Sequence, residues 1–293
     1  ALSLPVVSVD DFEAYEGMLV TFPQMLFISE YFDYDRYGEI VLTSQRFSTP
    51  TAVYEPGTDA VAAAADYLLN KITLDDGRTV QNPDPAIHPN GSTFDLSTLF
   101  RGGDTVNDVT GVLDYSFGLY RIQPVQGALY TPQNPRTMNP DEVGGNLKVA
   151  SFNVLNYFST IDTGAFICGP LQNQECRGAD TPEEFARQRA KIIAALSAIN
   201  ADVVGLIEIE NNIYDEAVID LVTGLNEALG DGTYDYVATG PIGTDAIKVA
   251  FIYKPAIVSL LGSYAILDST VDLRFLDTKN RPTLAQTFMN NAT

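Results

Sequence analysis

Histidine is almost missing from this sequence: the 293 residues include one, His88. A zinc site built from several histidines is therefore excluded for these residues, and so is any mechanism that needs two of them. Basic residues are also scarce, because 17 Lys and Arg stand against 38 Asp and Glu, which gives a formal net charge of −21 at pH 7. A basic groove that holds nucleic acid through bulk charge is not expected in so negative a field.

Long apolar runs are missing as well, since none reaches the roughly 18 residues that a membrane-spanning helix requires. With 45% apolar and 19% charged residues, the composition is that of a globular protein without a membrane span, and it excludes a coiled coil or a disordered chain. The acidity is spread along the chain: residues 1–145 hold 7 basic and 20 acidic residues (−13), and 146–293 hold 10 and 18 (−8). Two interpretations stay open: a solvated surface adapted to salt water, or carboxylates that bind several cations.

Cysteine occurs twice, as Cys168 and Cys176, in a polar loop that contains Gly and Pro. A pair that closes a short loop predicts a disulfide formed in an oxidising compartment, which would contribute roughly 2–3 kcal/mol to stability. Neither cysteine belongs to a CxxC pair, so a metal knuckle or a redox motif is not expected. The sequence starts at Ala1 without Met or a signal peptide, as a processed protein would, and we therefore expect a secreted, extracellular protein.

A turn-rich stretch at 131–146 predicts the boundary between a domain at 1–140 and a domain at 146–293. The first region predicts short strands at 17–22, 24–30, 38–44, 108–117 and 118–124. One helix is predicted after a Thr58 cap, with an apolar face of Val61, Ala65, Leu68, Leu69 and Ile72. Five or so strands and one helix favour a small closed or partly open OB-like β-barrel. His88 lies in a Pro-rich loop and is expected at the surface.

The second region alternates strands and helices. A strand at 147–153 precedes a capping box of Thr181 and Glu184 with Pro182 at the first helical position. The helix that follows places its apolar residues on one side: Phe185, Ile192, Ile193, Leu196 and Ile199. Further elements are predicted as a buried strand at 201–211, a helix near 215–229, and strands near 234–238, at 247–253, 256–267 and 283–288. The order predicts a layered α/β fold with a mixed sheet, which makes the whole chain α+β or layered α/β.

Polar side chains end two of these strands, at Asn153 and at Glu208. A right-handed crossover between neighbouring parallel strands would bring both ends to one edge of the sheet, where ligand sites of α/β folds gather. A carboxylate beside a carboxamide favours a hard cation such as Mg²⁺, Mn²⁺ or Ca²⁺. In the alternative interpretation, Glu208 turns outward with Glu210 at the strand end and has no ligand.

Three strings together carry a family resemblance: LKVASFNVLNYF (147–158), CRGADTPEEFARQRAKI (176–192) and ADVVGLIEIENN (201–212). They resemble the start of an endonuclease/exonuclease/phosphatase (DNase I-like) domain, and more narrowly the secreted bacterial nucleases of the ExeM/NucH type. In those proteins a small OB-like domain comes first. The strings SVDDFEAYEGMLVTFP, QNPDP and LDYSFGLYRIQP resemble that first domain, so the resemblance spans essentially the whole chain.

The resemblance implies metal-assisted hydrolysis of phosphodiester bonds in DNA, with RNA as an alternative, and Mg²⁺ (or Mn²⁺ or Ca²⁺) as cofactor. Glu208 would ligate the cation, and Asn153 would position the metal or the scissile phosphate. Asp245 would stand where the family keeps an acidic partner for its catalytic histidine. Substrate contacts are implied for Arg281, with a surface ion pair as the alternative, and for Asn211 and Asn212.

The sequence departs from the family pattern after TLAQTF (283–288). The family also needs a catalytic histidine, an Asp-x-Asn pair and a terminal Asp-His pair, none of which is present, so we expect an incomplete DNase I-like sandwich that is inactive alone. Three explanations are open: a fragment of a complete nuclease, a C-terminal part that packs as a separate chain, or lost catalysis. Strands 247–253 and 283–288 would then lack neighbours and expose apolar edges, and the chain would be poorly stable.

Two other functions compete with a nuclease. One is a phosphatase or sphingomyelinase on the same fold. The other is a non-catalytic nucleic-acid-binding or matrix protein, for which an OB-like domain would offer stacking aromatic residues. Tyr31, Tyr34 and Tyr37 lie close together, but acidic residues accompany them, and the segment is expected to be a surface loop.

Overall fold

The computed structural model describes residues 1–292. Packing divides the chain into two compact units, one of residues 1–137 and one that begins at Met138, so the division falls inside the turn-rich stretch. Within the described residues, the helices are all too short or too polar to cross a membrane.

The first unit is built on an eight-stranded mixed sheet of order β1-β6-β7-β4-β3-β2-β5-β8. Its strands are β1 (Leu19–Phe22), β2 (Leu26–Glu30), β3 (Ile40–Thr43), β4 (Lys71–Leu74), β5 (Thr105–Asn107), β6 (Val109–Ser116), β7 (Leu119–Pro124) and β8 (Leu129–Thr131). Two α-helices accompany them, α1 (Tyr34–Tyr37) and α2 (Thr58–Leu69), together with 3₁₀ helices at Val9–Tyr15 and Pro50–Ala52. The sheet ends at β1 and β8, and no closed barrel is found among the described residues. The five predicted strands are present, and β4, β5 and β8 are additional.

The predicted apolar face of α2 is wrong. Val61 is 70% exposed and Leu68 is 50% exposed, while Ile72 lies in β4 instead of the helix. The helix begins at Thr58, after Gly57, and the side that faces the protein carries Ala60, Ala63, Tyr67 and the buried Asn70 that ends it. In an alanine-rich helix, the positions of the large apolar residues do not predict the packed side, because alanine lets the helix backbone lie closer to the rest of the protein.

His88 is buried, with 2% of its surface exposed, so its expected surface position is wrong. Its ring packs edge-on against Tyr130 at a centroid distance of 4.6 Å, and Nδ1 accepts a hydrogen bond from the Asn90 N–H at 3.1 Å. The Tyr34 hydroxyl donates to the Ile87 carbonyl at 2.9 Å and so fixes the Pro-rich loop against α1. Tyr34 is itself 6% exposed and lies in the helix α1, so the tyrosine-rich segment is not simply a surface loop.

Burial lowers the pKa of His88 below its ordinary value of 6.5, and the charge of Asp104 only partly offsets this. As the pH falls through about 6.5, His88 therefore binds a proton in the unfolded chain, whereas in the folded chain it does so only at lower pH. The contribution of His88 to stability is complete above that pH and is lost as the pH falls towards its folded-state pKa.

Because the chain has one histidine, its Hε1 resonance gives a single NMR titration curve. We expect a midpoint below 6.5 and a free energy of unfolding that falls between about pH 7 and 5, where carboxylates contribute little. His88→Gln should flatten that part of the stability profile. A midpoint at or above 6.5 would contradict the buried, neutral imidazole.

The second unit contains a four-stranded sheet of order β11-β12-β10-β9 and a two-stranded sheet, β13-β14. Its strands are β9 (Val149–Tyr157), β10 (Val203–Glu210), β11 (Asp235–Tyr236), β12 (Ile247–Tyr253), β13 (Val258–Leu267) and β14 (Thr283–Asn290). Its helices are α3 (Pro182–Ile199) and α4 (Glu216–Leu229). β9 and β10 are parallel and β10 and β12 antiparallel, so the predicted mixed sheet is present.

The larger sheet packs on both faces, because its strands alternate between two cores. Val204 and Leu206 of β10 join Leu196 of α3 and Leu221 of α4 on one face. On the other face, Phe288 of β14 contacts the rings of Phe251 and Tyr253. The result is one helix layer and two sheet layers, which accounts for the continuous apolar run of β10.

α3 starts as its sequence predicts. The Thr181 hydroxyl accepts from the Glu184 N–H at 3.2 Å, and Pro182 is the first helical residue. In a regular capping box the Glu184 carboxylate would accept from the Thr181 N–H. Here it accepts from the Asp180 N–H at 3.0 Å, one residue earlier. The helix then buries Ile192 and Leu196 with Phe185, Ile193 and Ile199 beside them, as predicted.

The expectation that 247–253 and 283–288 lack neighbours is wrong for both strands. β12 pairs with β10 over its length and with β11 at Tyr253 and Ile252, so both of its edges are occupied in part. β14 pairs with β13 from Thr283 to Asn290. The antiparallel return of β12 beside β10 supplies the partner that the sequence did not reveal.

Candidate metal and phosphate site

Strand β10 carries one extra residue at Glu208. Leu206 pairs with Ala250 and Ile209 with Lys248, so three steps on β10 match two on β12. Glu208 has φ +66°, a left-handed conformation that non-glycine residues rarely adopt. Such a bulge with a left-handed residue re-aims side chains and is frequent beside active sites. It lets Ile209 pack towards the helices in place of Glu208.

The neighbouring strand is irregular at the same level. Ile207 pairs with Asn153 and Ile209 with Tyr157, so Glu208 lies opposite residues 154–156 of β9. Leu155 and Asn156 have φ of +52° and +50°. The parallel strands thus bring Asn153 and Glu208 to one edge, as predicted, and both strands leave regular geometry there. Non-glycine residues in this region cost about 1–3 kcal/mol each and persist where the surrounding structure imposes them.

The two glutamates at the end of β10 have different environments. Glu208 is partly exposed and makes no hydrogen bond or ion pair within residues 1–292. Glu210 is 2% exposed, and its Oε2 accepts from the Ser159 N–H at 2.9 Å and the Thr160 N–H at 3.1 Å. The interpretation in which both turn outward is therefore wrong for Glu210, which holds the chain that leaves β9. Glu208 is the carboxylate available to a ligand.

Asp245 lies just before β12 and binds two arginines. Its Oδ2 accepts from Arg281 Nε at 2.8 Å and its Oδ1 from Arg177 Nη2 at 2.9 Å. Partial burial opposes ionisation, but the hydrogen bond from Arg281 and the charge of Arg177 hold the pKa of the Asp245 carboxyl below its ordinary value. Both arginine side chains stay 43% exposed, so each can still reach an anion.

The predicted disulfide between Cys168 and Cys176 is present, and both cysteines are buried at 2% exposure. They pack with Phe158 and Ile247 in a small core beside the carboxyl end of β10. Arg177 follows Cys176 directly, so the disulfide fixes the start of the segment that brings this arginine to Asp245. Sequence reasoning missed Arg177, although its place next to a loop-closing cysteine was a usable signal.

Asn211 and Asn212 are engaged in structure. The Asn211 amide is 0% exposed, donates to the carbonyls of Ile242 (2.8 Å) and Asp245 (2.9 Å), and accepts from the Ile242 N–H at 3.0 Å. Asn212 accepts from the Ala217 N–H at 2.9 Å in the first turn of α4. The Asn211 side chain is therefore not free for the predicted contact with nucleic acid, whereas Asn212 is partly exposed, so its contact stays a prediction. Asn211 instead ties the end of β10 to the backbone of Asp245.

A buried ion pair lies next to the Glu208 bulge, on the side of the sheet that faces the helices. Lys248 of β12, 1% exposed, pairs with Asp215 and donates to the Gly240 carbonyl at 2.7 Å. Asp215 also accepts from the Gly240 N–H at 2.9 Å. Burial lowers the pKa of Lys248 below its ordinary value, against the hydrogen bond and charge of Asp215. Lys248 is the register partner of Ile209, so this pair adjoins the bulge.

The donor atoms at the edge are oxygens, which fit a hard cation and not zinc. Within the described residues, no group of three or more His, Cys, Asp or Glu side chains is arranged to hold a metal ion. Glu208 supplies one carboxylate, while the Asn153 Oδ1 accepts from the Leu155 N–H at 2.7 Å. One or two protein carboxylates with water and substrate phosphate are a usual Mg²⁺ environment.

Comparison with protein families gives a match over residues 6–134 to a domain of unknown function, DUF8508. The match covers most of the first unit and less than half of the chain, and it includes none of the residues at the Glu208 edge. No curated protein matches the chain.

Replacing the two glutamates should separate their roles. Glu208→Gly removes the left-handed strain, and we expect the free energy of unfolding to be unchanged or up to about 1 kcal/mol higher. Glu210→Gln leaves buried N–H groups without a charged acceptor and should cost about 2–4 kcal/mol. Urea unfolding of the three proteins measures both effects. A Glu208→Gly variant that loses stability as Glu210→Gln does would show that Glu208 has a structural role.

Proposed function

We propose that the protein is an extracellular, divalent-metal-dependent nuclease that hydrolyses phosphodiester bonds of DNA, with RNA as a second substrate to be tested. The observation that carries this proposal is Glu208: a carboxylate without a partner among residues 1–292, held in a strained backbone conformation beside Asn153. Strain of this kind, in a residue that makes no stabilising contact, is typical of functional sites. The resemblance of the three strings to the nuclease family gives the same assignment.

The residues suggest a division of roles. Glu208 would hold Mg²⁺, Mn²⁺ or Ca²⁺, and Asn153, positioned by its bond to the Leu155 N–H, would orient the metal or the scissile phosphate. The bound cation would stabilise negative charge on phosphate oxygens in the transition state. Arg281 would approach the phosphate, with Asp245 fixing the direction of its guanidinium group.

The negative charge of the chain is compatible with this proposal. A net charge of −21 repels a polyanion at long range, and salt screens that repulsion beyond roughly 10 Å. At the site, a divalent cation and exposed arginines reverse the local sign. The disulfide, formed in oxidising compartments, supports secretion into a medium that supplies both salt and divalent cations.

The finer fold assignments belong to the same proposal. For the second unit, the helix layer and two packed sheets support a DNase I-like sandwich. For the first unit, β1 and β2 are separated only by residues 23–25, and together they border β6 on one side and β3 on the other. If β1 and β2 are taken as one strand bent at Pro23, the strand order resembles that of an OB-fold. β2, β3 and β4 form an antiparallel meander, β4 pairs in parallel with β7, and β7 pairs with β6, which borders β1.

A general base is assigned to none of the described residues. The one histidine, His88, is buried in the first unit, where its Nδ1 is already engaged. Two arginines occupy both oxygens of Asp245, so in these residues it serves to position them. The activity is accordingly proposed for the natural protein, in which the described residues would supply the cation site and the phosphate contacts.

The test is hydrolysis of plasmid DNA by the natural protein with and without EDTA. Glu208→Gln keeps the size of the side chain but removes the charge that holds the cation, and we expect a loss of about 100-fold or more in kcat/KM. EDTA should abolish the activity and added Mg²⁺, Mn²⁺ or Ca²⁺ restore it. Undiminished cleavage by Glu208→Gln, or in EDTA, would overturn the assignment.

A matched control is Glu227→Gln, which changes a glutamate of the same unit that is 66% exposed and 3.5 Å from Arg189. Its activity should stay within about twofold, because such exposed pairs contribute little. RNA, a phosphomonoester and sphingomyelin serve as parallel substrates. Preference for either of the last two would replace the nuclease with a phosphatase or sphingomyelinase, and binding without hydrolysis of any of them would favour a non-catalytic protein.

A further inference from the structure

A cleft of about 410 Å³ lies between the first half of α3 and the irregular end of β9. Three of its lining residues are basic: Arg177, Arg187 and Lys191. One acidic residue, Glu184, also lines it, but its carboxylate is turned to the Asp180 N–H. The cleft is therefore locally positive in a chain whose net charge is −21.

Arg187 and Lys191 differ from most basic residues of the second unit, because their side chains are unpaired in the described part of the chain. Residues 146–293 contain ten Lys and Arg. Six form ion pairs, namely Arg177, Arg189, Lys248, Lys254, Arg274 and Arg281. Lys148 donates to the Ile199 carbonyl. The three whose side chains have no ion pair or hydrogen bond in the described part of the chain are Arg187, Lys191 and Lys279.

Two of those three share this cleft. Arg187 and Lys191 are four residues apart on α3, so they lie on one face and about 6 Å apart along the helix axis. Residues 146–293 hold 18 acidic residues, and an unpaired cation there avoids the many carboxylates that would otherwise neutralise it. Two such cations on one helix face form a site with unsatisfied positive charge, spaced to meet successive anionic groups.

The cleft is continuous with the Glu208 edge. Leu155 and Asn156 line the cleft, and they belong to the segment of β9 that lies opposite Glu208. Gln188 of α3 donates to the Leu155 carbonyl at 2.8 Å and so joins the helix to that segment. Arg177, at the other side of the cleft, is bound to Asp245 together with Arg281. The same short stretch of chain therefore borders the candidate metal site and the positive cleft.

We propose that this cleft binds the sugar–phosphate backbone of the nucleic acid strand beyond the scissile bond, with Arg187 and Lys191 contacting phosphates. The inference rests on the proposed function for its substrate class. The contacts are ionic and independent of base identity, so they give affinity and direction to the strand without sequence preference. They also give an acidic protein a short-range attraction that its net charge does not provide.

The experiment measures binding apart from catalysis. A fluorescein-labelled oligothymidylate is titrated with the natural protein in EDTA, by fluorescence anisotropy at several salt concentrations, for the unaltered protein and for Arg187→Ala/Lys191→Ala. We expect at least fivefold weaker binding by the double variant. The slope of log K against log salt should fall by about 1.4, because each lost phosphate contact on a single strand contributes about 0.7. In the cleavage assay KM should rise with little change in kcat.

The control is Arg274→Ala, which removes an arginine that is 92% exposed and paired with Asp272, away from the cleft. It removes one charge without changing the slope or KM. Circular dichroism and thermal melting check that the double variant is folded, and Arg187→Gln/Lys191→Gln, which keeps the side-chain length, should reproduce the loss.

The outcomes distinguish the two proposals. Binding and cleavage by the unaltered protein, with an unchanged slope and KM in the double variant, would overturn the cleft assignment and leave the nuclease intact. A reduced slope in the double variant of a protein that does not cleave would support the cleft and overturn the nuclease. Absence of both binding and cleavage in the unaltered protein would overturn both.

Discussion

One extra residue in β10 determines what the carboxyl edge of the sheet presents. Val204 and Leu206 face the helices, and in a regular strand Glu208 would be the next residue on that side. The left-handed turn at Glu208 lets Ile209 take the core position and leaves the carboxylate outside it. The helix-side core thus remains apolar, and the strain of one residue replaces the far larger cost of burying an unpaired charge.

Several carboxylates act as acceptors for loop backbone and are not only part of a solvated surface. Asp104, 2% exposed, accepts from the N–H groups of Arg101, Gln133 and Asn134. Glu210 and Asp215 do the same for the segments after β9 and before β12. A protein with long irregular connections needs such acceptors, because buried N–H groups must be paired. Part of the acidity is therefore structural, a use that neither interpretation of the composition included.

Local signals predicted the parts of the fold that depend on local chemistry. The Thr181 cap, the apolar stripe of α3, the bounds of β12 and the disulfide follow from spacing that one segment carries by itself. The bulge at Glu208 could not be predicted in this way, because it depends on how β10 pairs with both β9 and β12. His88 and the packed side of α2 were missed for a related reason: burial there is decided by distant chain segments. For the site, sequence placed Asn153 and Glu208 together but did not reveal that Glu210 is buried and accepts from loop backbone.

The burial of His88 has a consequence for the whole molecule. With the cysteines joined and the imidazole kept neutral, neither the thiols nor the one histidine of this sequence changes its charge between about pH 6.5 and 8.5. The charge of this part of the protein is then nearly constant across that range. Its long-range electrostatics respond to ionic strength and to multivalent cations much more than to acidity, so changes of salinity, and not of pH, would alter how it meets another charged molecule.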